Sequence, residues 1–226
     1  MSRHKNNYTV SIIVPARNEE GTIERLVKQA PLLGSRTEII FIEGHSKDKT
    51  KKEINRVMKL YRHIKIRLLS QGPTVGKAAA VKLGFEASRS DILIILDADL
   101  SIAPSDLRRF YAALAKEHNQ LIMGNRLIYP LERDSMRFLN MIANTWFGYI
   151  FSWILNQRIH DTLAGTKALF RSDYLRIKRN QKYFGDFDPF GDFDLIFGAA
   201  YLKLKLVEIP VRYRARIYGT TNIKRF

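Results

Sequence analysis

The chain has 226 residues, 46% of them apolar and 11% aromatic, enough to bury a core without help from cross-links. It contains no cysteine, which excludes a disulfide framework, a thiolate nucleophile and a cysteine-ligated zinc site together. A formal charge of +16 attracts nucleic acid, anionic lipid and phosphorylated small molecules alike and selects none of them.

The opening MSRHKNNYTV is polar and lacks the apolar stretch of a secretory leader, so the simplest expected address is cytoplasmic. No run of about 20 unbroken apolar residues follows, which argues against a membrane-crossing helix. Val10 to Val14, Glu38 to Ile42, Ile64 to Leu69 and Asp91 to Leu96 are short β-branched runs of the kind that form buried parallel strands. Between them, Glu19 to Ala30, Lys49 to Leu60 and Val75 to Ser88 carry apolar residues at helical spacing. The alternation predicts a doubly wound α/β layer, in which the residues just after each strand share one crevice. Those residues are Pro15 to Glu20, Glu43 to Asp48, Gln71 to Lys77 and Asp97 to Asp99.

Further along, Pro104 is expected to open a helix through Ala115, followed by a strand near Leu121 to Gly124 and a long aromatic helix from about Ser135 to Leu155. A helix around Asp192 to Tyr201 and a strand from Leu206 to Ile217, interrupted by Pro210, complete the pattern. Neither an internal repeat nor a low-complexity linker divides the chain. The basic terminal run TNIKRF leads to the expectation that a longer protein continues beyond Phe226.

Asp97-Ala98-Asp99 directly follows an apolar strand, so two carboxylates leave the sheet together at the crevice. Neighbouring anions repel unless a cation or strong hydrogen bonds intervene, and a hard divalent ion, Mg2+ or Mn2+, shared with a substrate diphosphate would compensate them. Such an ion also spreads the charge that develops on a leaving nucleotide. Metal binding by Asp97 and Asp99, with Asp99 counted as catalytic, is one reading of the pair; helix-capping acids are the other.

Five blocks span almost the whole chain: SIIVPARNEEGTI at 11–23, EIIFIEGHSKDKT at 38–50, VGKAAAVKLGF at 75–85, DILIILDADL at 91–100 and EIPVRYRARIYG at 208–219. In order and spacing they resemble a family 2 glycosyltransferase, in the branch that includes dolichyl-phosphate mannosyltransferases and bacterial surface-polysaccharide enzymes. The resemblance implies a GT-A fold, an α/β Rossmann-like arrangement with a mainly parallel sheet flanked by helices. It implies one domain over residues 1–226, with a nucleotide-sugar-binding half at about 8–125 and an acceptor half at about 126–226. It further implies metal-dependent transfer of a hexose from a GDP- or UDP-sugar, with inversion. On the donor side, Pro15, Ala16, Asn18 and Glu19 are implied to line the nucleoside pocket, with Asp97 and Ala98 beside the donor. Glu43 stands where the family usually has the first Asp of a turn, and Gly44 replaces the second. Gly76-Lys77 resembles a turn whose lysine faces the donor, with Ala78 in place of a second glycine. Arg216-Ile-Tyr-Gly resembles the family segment that closes over the donor phosphates, which implies that role for Arg216. Asp48 is expected to cap the helix that begins near Lys49.

On the acceptor side, Asp192 and Asp194 end a run in which acids alternate with aromatics from Gly185 onward. By its position relative to Glu208, Asp194 matches a carboxylate near metal and acceptor in the resembling enzymes; helix capping is the alternative for both acids. Either would serve as a general base toward a hydroxyl acceptor, whereas a phosphate acceptor is already anionic and needs cations to position it. Arg126 and Arg137 match two basic residues assigned to lipid phosphate, with a role in surface solubility as the alternative. Arg212, Arg214 and Arg216 alternate with Val211, Tyr213 and Ala215, so period two would set three guanidinium groups on one strand face.

In the segment from Phe138 to Leu155, Asn140, Asn144, Gly148 and Ser152 recur every fourth residue as a small or polar seam among bulky aromatics. Aromatic rings favour the lipid head-group zone, so peripheral membrane contact on the cytoplasmic face is expected through this helix. The alternatives are burial against the sheet or a second copy of the chain in a homo-oligomer. The acceptor that the resemblance implies first is polyprenyl phosphate, followed by a hydroxyl of a surface glycan or lipid-linked glycan. From a different class, a non-catalytic module that binds nucleotide sugar or lipid phosphate stays open. A nucleic-acid partner is not expected, because no recognisable nucleic-acid-binding motif accompanies the charge.

Overall fold

A computed structural model describes residues 7–130, 138–183 and 193–219. The first half alternates as the pattern requires: β1 (Thr9–Ala16), α1 (Ile23–Gln29), β2 (Arg36–Glu43), α2 (Thr50–Leu60), β3 (Lys65–Ser70), α3 (Lys77–Ala87) and β4 (Ile92–Ile95). There follow α4 (Leu107–Lys116), β5 (Gln120–Asn125), α5 (Phe138–Leu155), β6 (Lys167–Phe170), α6 (Arg171–Asn180), α7 (Phe193–Tyr201) and β7 (Lys205–Pro210). The seven strands lie in the order β3-β2-β1-β4-β6-β5-β7. β6 runs antiparallel to both neighbours, while the other pairings are parallel.

Strand periodicity divides the core into two layers. Val10, Ile12 and Val14 of β1, with Ile92, Ile94 and Leu96, pack with Leu26 of α1, Ile54 of α2 and Phe110 of α4. Ile13, Leu93 and Ile95 point the other way, toward Phe85 of α3, Phe151 of α5, Ile177 of α6 and Ile196 of α7. Both faces of the sheet are therefore covered, which is why its central strands read as unbroken apolar runs. Register brings the strand ends level: Ala16 lies opposite Glu43, Glu43 opposite Ser70, and Ile13 opposite Ile95. The chain departs in opposite directions from β1 and β4, and their shared carboxyl end is the switch point where such sheets hold ligands.

Several expectations need correction. The first helix starts at Ile23, because residues 19–22 form a turn in which Thr22 donates to the Glu19 carbonyl through both its N–H (3.0 Å) and its hydroxyl (2.9 Å). Pro104 opens a 3-10 turn that leads into α4. The last strand stops at Pro210, paired with Asn125, because proline has no N–H to continue the ladder. Residues 211–216 instead cross the sheet end: Val211 N–H donates to Asn125 O at 2.9 Å and Arg214 N–H to Ser101 O at 2.9 Å. The three arginines thus share no strand face. Arg212 lies over the Tyr129 ring, 5.2 Å from its centroid, while Arg216 turns inward.

The seam on α5 lies on the inside. Asn144 is buried, and Ser152 Oγ donates to the Gly148 carbonyl at 2.7 Å and accepts from Ile159 N–H at 2.9 Å. A Cβ on Gly148 would stand 2.9 Å from the His160 carbonyl oxygen, so only glycine lets the 159–160 backbone come this close. The opposite side carries Trp146, Tyr149, Ile150, Trp153 and Ile154, with Trp153 85% exposed. Among the described residues, no helix is long and apolar enough to cross a membrane.

Candidate active site

The loop after β1 is stitched to the loop after β2. Asn18, in the left-handed region at φ 57°, accepts from Lys47 N–H at 2.7 Å through Oδ1 and donates its own N–H to Ser46 Oγ at 3.1 Å. Glu19 N–H donates to Thr50 Oγ1 at 2.8 Å. Asp48 accepts from Thr50 N–H at 2.9 Å and from Glu20 N–H at 3.2 Å, so it ties the β1 loop to the first residue of α2; the N-cap itself is Lys49, which makes no side-chain cap, so the expected cap by Asp48 is corrected to this tie. Buried Glu43 spends Oε1 on Ser46 N–H at 2.7 Å, holding its own turn. Pro15 and Ala16 are the last residues of β1, with Ala16 buried.

Five charged side chains from four segments meet at the switch point. Lys77, the first residue of α3, sets Nζ 2.7 Å from Asp97 Oδ1. Arg216 pairs with Glu19 and reaches Asp99, with Nη1 3.5 Å from Oδ2. Burial works to raise the pKa of Asp97, but the positive charges of Lys77, Lys167 and Arg126 outweigh it and hold the carboxyl below its usual value. Glu19 goes the other way. Burial, reinforced by Asp99 and Asp97 and opposed by Arg216, pushes its carboxyl up to about 7.

Backbone geometry aims the two aspartates. Leu100 is buried at φ 58°, a conformation that costs a non-glycine residue about 1 kcal/mol and is kept where the surroundings enforce it. The turn lets Asp99 Oδ1 accept from Ser101 N–H at 3.0 Å. Across the cleft, a Cβ on Gly165 would lie 2.2 Å from Asp97 Oδ2 and 2.3 Å from Lys77 Nζ. Among the described residues, the buried polar atoms without a hydrogen-bond partner include Glu19 Oε2 and Arg216 Nε of this cluster and Thr166 Oγ1, next in sequence to Gly165. Buried polar groups are rarely left so, and such orphans are expected where a ligand completes the set.

Beside this cluster lies a second one, in which Arg126 meets Asp161, a residue the sequence had not singled out. Arg126 grips fully buried Asp161 with two parallel bonds of 2.7 Å, from Nε and Nη2, and adds its backbone N–H at 2.9 Å. Asn144 of α5 donates to the same carboxylate at 2.7 Å. Lys167, buried in β6, donates to the Ala164 carbonyl at 2.5 Å. Arg126 thus supports the 159–167 loop by a strong bidentate pair. Glu208, known to the sequence reading only as a spacing mark, accepts from His160 and Asp161 N–H groups, each at 2.9 Å. No motif marked these residues; Asp161 and Lys167 stand in the mixed run IHDTLAGTKALF from Ile159 to Phe170, which carries no regular period.

Asp194 lies in the first turn of α7 and accepts from Gln181 at 3.0 Å. Asp192 and Arg137 fall outside the described residues.

A mostly parallel sheet with one inserted antiparallel strand, and a charged crevice at its switch point, defines a GT-A nucleotide-diphospho-sugar transferase fold. The same fold occurs in glucosyl-3-phosphoglycerate synthase of Mycobacterium tuberculosis, solved with Mn2+, UDP-glucose and glycerol 3-phosphate. The two align with a TM-score of 0.70 over 96% of this chain and 74% of that one, at 18% identity. Residues 11–182 match the model of glycosyl transferase family 2, and the chain belongs to that family. It is 30% identical to a dolichyl-phosphate beta-glucosyltransferase of Trichomonas vaginalis over 220 residues, 90% of this chain and 65% of the relative. It is 26% identical to the dolichol-phosphate mannosyltransferase of Pyrococcus furiosus over 222 residues, 95% of this chain and 59% of the relative. The chain therefore spans less than two thirds of the length of either curated relative.

Proposed function

We propose that this protein transfers a sugar from a GDP- or UDP-sugar to a polyprenyl phosphate, with inversion, at the cytoplasmic face of a membrane. The observation that carries the reading is the meeting of Glu19, Lys77, Asp97, Asp99 and Arg216 at the carboxyl end of β1 and β4. Relatives named for transfer to dolichyl phosphate support the acceptor class.

The donor set suits Mg2+ or Mn2+. Asp97 and Asp99 present hard carboxylate oxygens, and Glu19, on whose carboxyl both act, has a buried Oε2 without a hydrogen-bond partner among the described residues. Among the described residues no group of three or more His, Asp or Glu side chains closes a full metal cage. That suits an ion bound by one or two carboxylates that completes its shell with water and diphosphate oxygens. Asp97 and Asp99 would hold it, and when bound it supplies neutralisation of the charge that builds on the departing nucleoside diphosphate.

The chain's own residues do the rest. Lys77 and Arg216 now sit on the two aspartates and are the cations positioned to transfer to diphosphate oxygens when donor enters. Pro15, Ala16, Asn18, Glu19 and Glu43 line the nucleoside side, and Ala98 keeps the space between the aspartates small. A phosphate acceptor arrives ionised and requires no general base, so positioning carries the chemistry. Arg137 is proposed to contact that phosphate, and Arg126 to support the wall of its site through Asp161. The exposed stripe of α5, rich in tryptophan and tyrosine on a chain of charge +16, fits the head-group layer of an anionic bilayer. A hydroxyl acceptor is the second reading; Asp194, and with it Asp192, is then the base, supported by the place of Asp194 at the head of α7.

The test is nucleoside diphosphate release from a panel of GDP- and UDP-sugars with Mn2+ or Mg2+ and polyprenyl phosphate in detergent. Acceptor-dependent release that disappears in Asp99→Ala supports the reading. Release that needs a glycan hydroxyl and fails with polyprenyl phosphate replaces it by the second.

A further inference from the structure

Glu208 of β7 is an unusually well-held carboxylate. Besides the two backbone N–H groups, it accepts from Asn125 Nδ2 at 3.1 Å, and the His160 ring sets Nδ1 2.5 Å from its Oε2. A carboxylate so placed keeps the proton on Nδ1 and fixes the ring plane. The other ring nitrogen, Nε2, has no partner among the described residues. The side chain is thus anchored at one edge yet 49% exposed. A histidine needed only for packing has no reason to be both fixed and open.

The ring borders a cavity of about 300 Å³ that Leu127, Ile128 and Ile159 make largely apolar, with Thr145 and Tyr149 at its α5 side. Tyr149 lines the cavity and belongs also to the exposed stripe of α5 with Ile150, Trp153 and Ile154. A polar point in an apolar recess that continues into an apolar surface fits an amphipathic molecule entering head first. Nearby acids do not repel an anionic head: Asp161 is neutralised by Arg126, and Glu208 by its N–H donors and the ring. Arg212 adds positive charge over Tyr129, the residue next to Ile128.

We infer that this cavity seats the phosphate head of a prenyl phosphate, with His160 as the recognition residue and the α5 stripe as the track for the chain. As an imidazolium, Nε2 donates to a phosphate oxygen; as a neutral ring, it accepts from a protonated one. The inference rests on the lipid-phosphate reading above but makes its own claim about where the head is held.

Binding without donor separates the two. In ¹⁵N-histidine-labelled protein, farnesyl phosphate is expected to shift the His160 ring nitrogens, while farnesol and inorganic phosphate bind at least about tenfold more weakly, since each lacks one half of the match. His160→Ala is expected to weaken farnesyl phosphate about tenfold and leave nucleotide affinity unchanged. Tyr149→Ala, at a position 73% exposed and so safe for folding, is expected to weaken farnesyl phosphate but not inorganic phosphate. Unmoved ring signals, or equal farnesyl phosphate affinity in His160→Ala, would overturn the site; inorganic phosphate binding as tightly as farnesyl phosphate would overturn its lipid character. Farnesyl phosphate binding as expected, with no sugar transfer to any prenyl phosphate, would instead sink the proposed function and leave the site standing.

Discussion

Lys77 Nζ and Asp97 Oδ1 meet at 2.7 Å across a gap that exists because residue 165 has no side chain. Gly165→Ala would drive a methyl group into both partners at once. The substitution is expected to cut turnover about 100-fold or more, in keeping with the sensitivity of catalytic groups to displacements of about 1 Å. Steady-state kinetics at saturating donor and a melting curve would separate this from simple unfolding, which would lower Tm as steeply as activity.

Arg216 reaches Glu19 and Asp99 from the far end of the chain, so Arg216→Ala is expected to raise the donor KM about tenfold or more. Arg216→Lys should recover only part of the loss, because an ammonium cannot span two acids as a planar guanidinium does. Full rescue by lysine would mean that charge alone matters there.

The raised pKa of Glu19 sets a pH dependence in the metal-free protein. Because the folded value of about 7 lies above the ordinary 4.5, the folded form keeps a proton that the unfolded chain has already released. The resulting stabilisation is full below the unfolded pKa and is lost as pH rises through about 7. Wild type should therefore lose about 3 kcal/mol between those values relative to Glu19→Gln. Parallel stability curves for the two proteins would refute the assignment.

Asp161→Asn should behave differently. It strips the buried partner from Arg126, and breaking a buried pair from one side typically costs about 3–5 kcal/mol. Urea unfolding is the measure. A loss below about 1 kcal/mol would show that the 159–167 loop relaxes to solvate the arginine.

Trp146 and Trp153 project from α5 into solvent, 66% and 85% exposed. Replacing both with serine should leave the Tm nearly unchanged and weaken binding to anionic liposomes about tenfold or more in flotation. Unaltered flotation would point away from this helix as the membrane contact.

Much of the first half could be read from the chain because its strands are buried on both faces and announce themselves as β-branched runs. The crevice was then to be sought at their carboxyl ends, where Asp97 and Asp99 meet Lys77 and Arg216. β6 escaped because Lys167 to Phe170 is four residues long and begins with a lysine buried only by its tertiary surroundings. Asp161 and His160 escaped for the same reason: their partners, Arg126 and Glu208, are distant in sequence, and no local period encodes such pairs. On α5 the period was visible but its direction was not. A stripe of Asn144, Gly148 and Ser152 fixes one side of the helix, and only the 159–160 backbone decides that this side faces inward. For the arginines after Pro210, alternation suggested a strand that a missing N–H prevents.

The early end of β7 has a mechanical result. Freed from the ladder at Pro210, the next nine residues form a strap buckled at three places: to Asn125 beside the His160 cavity, to Ser101 behind the paired aspartates, and to Glu19 in the loop after β1. One short segment thus fastens three parts of the cleft whose own residues come from distant stretches of the chain.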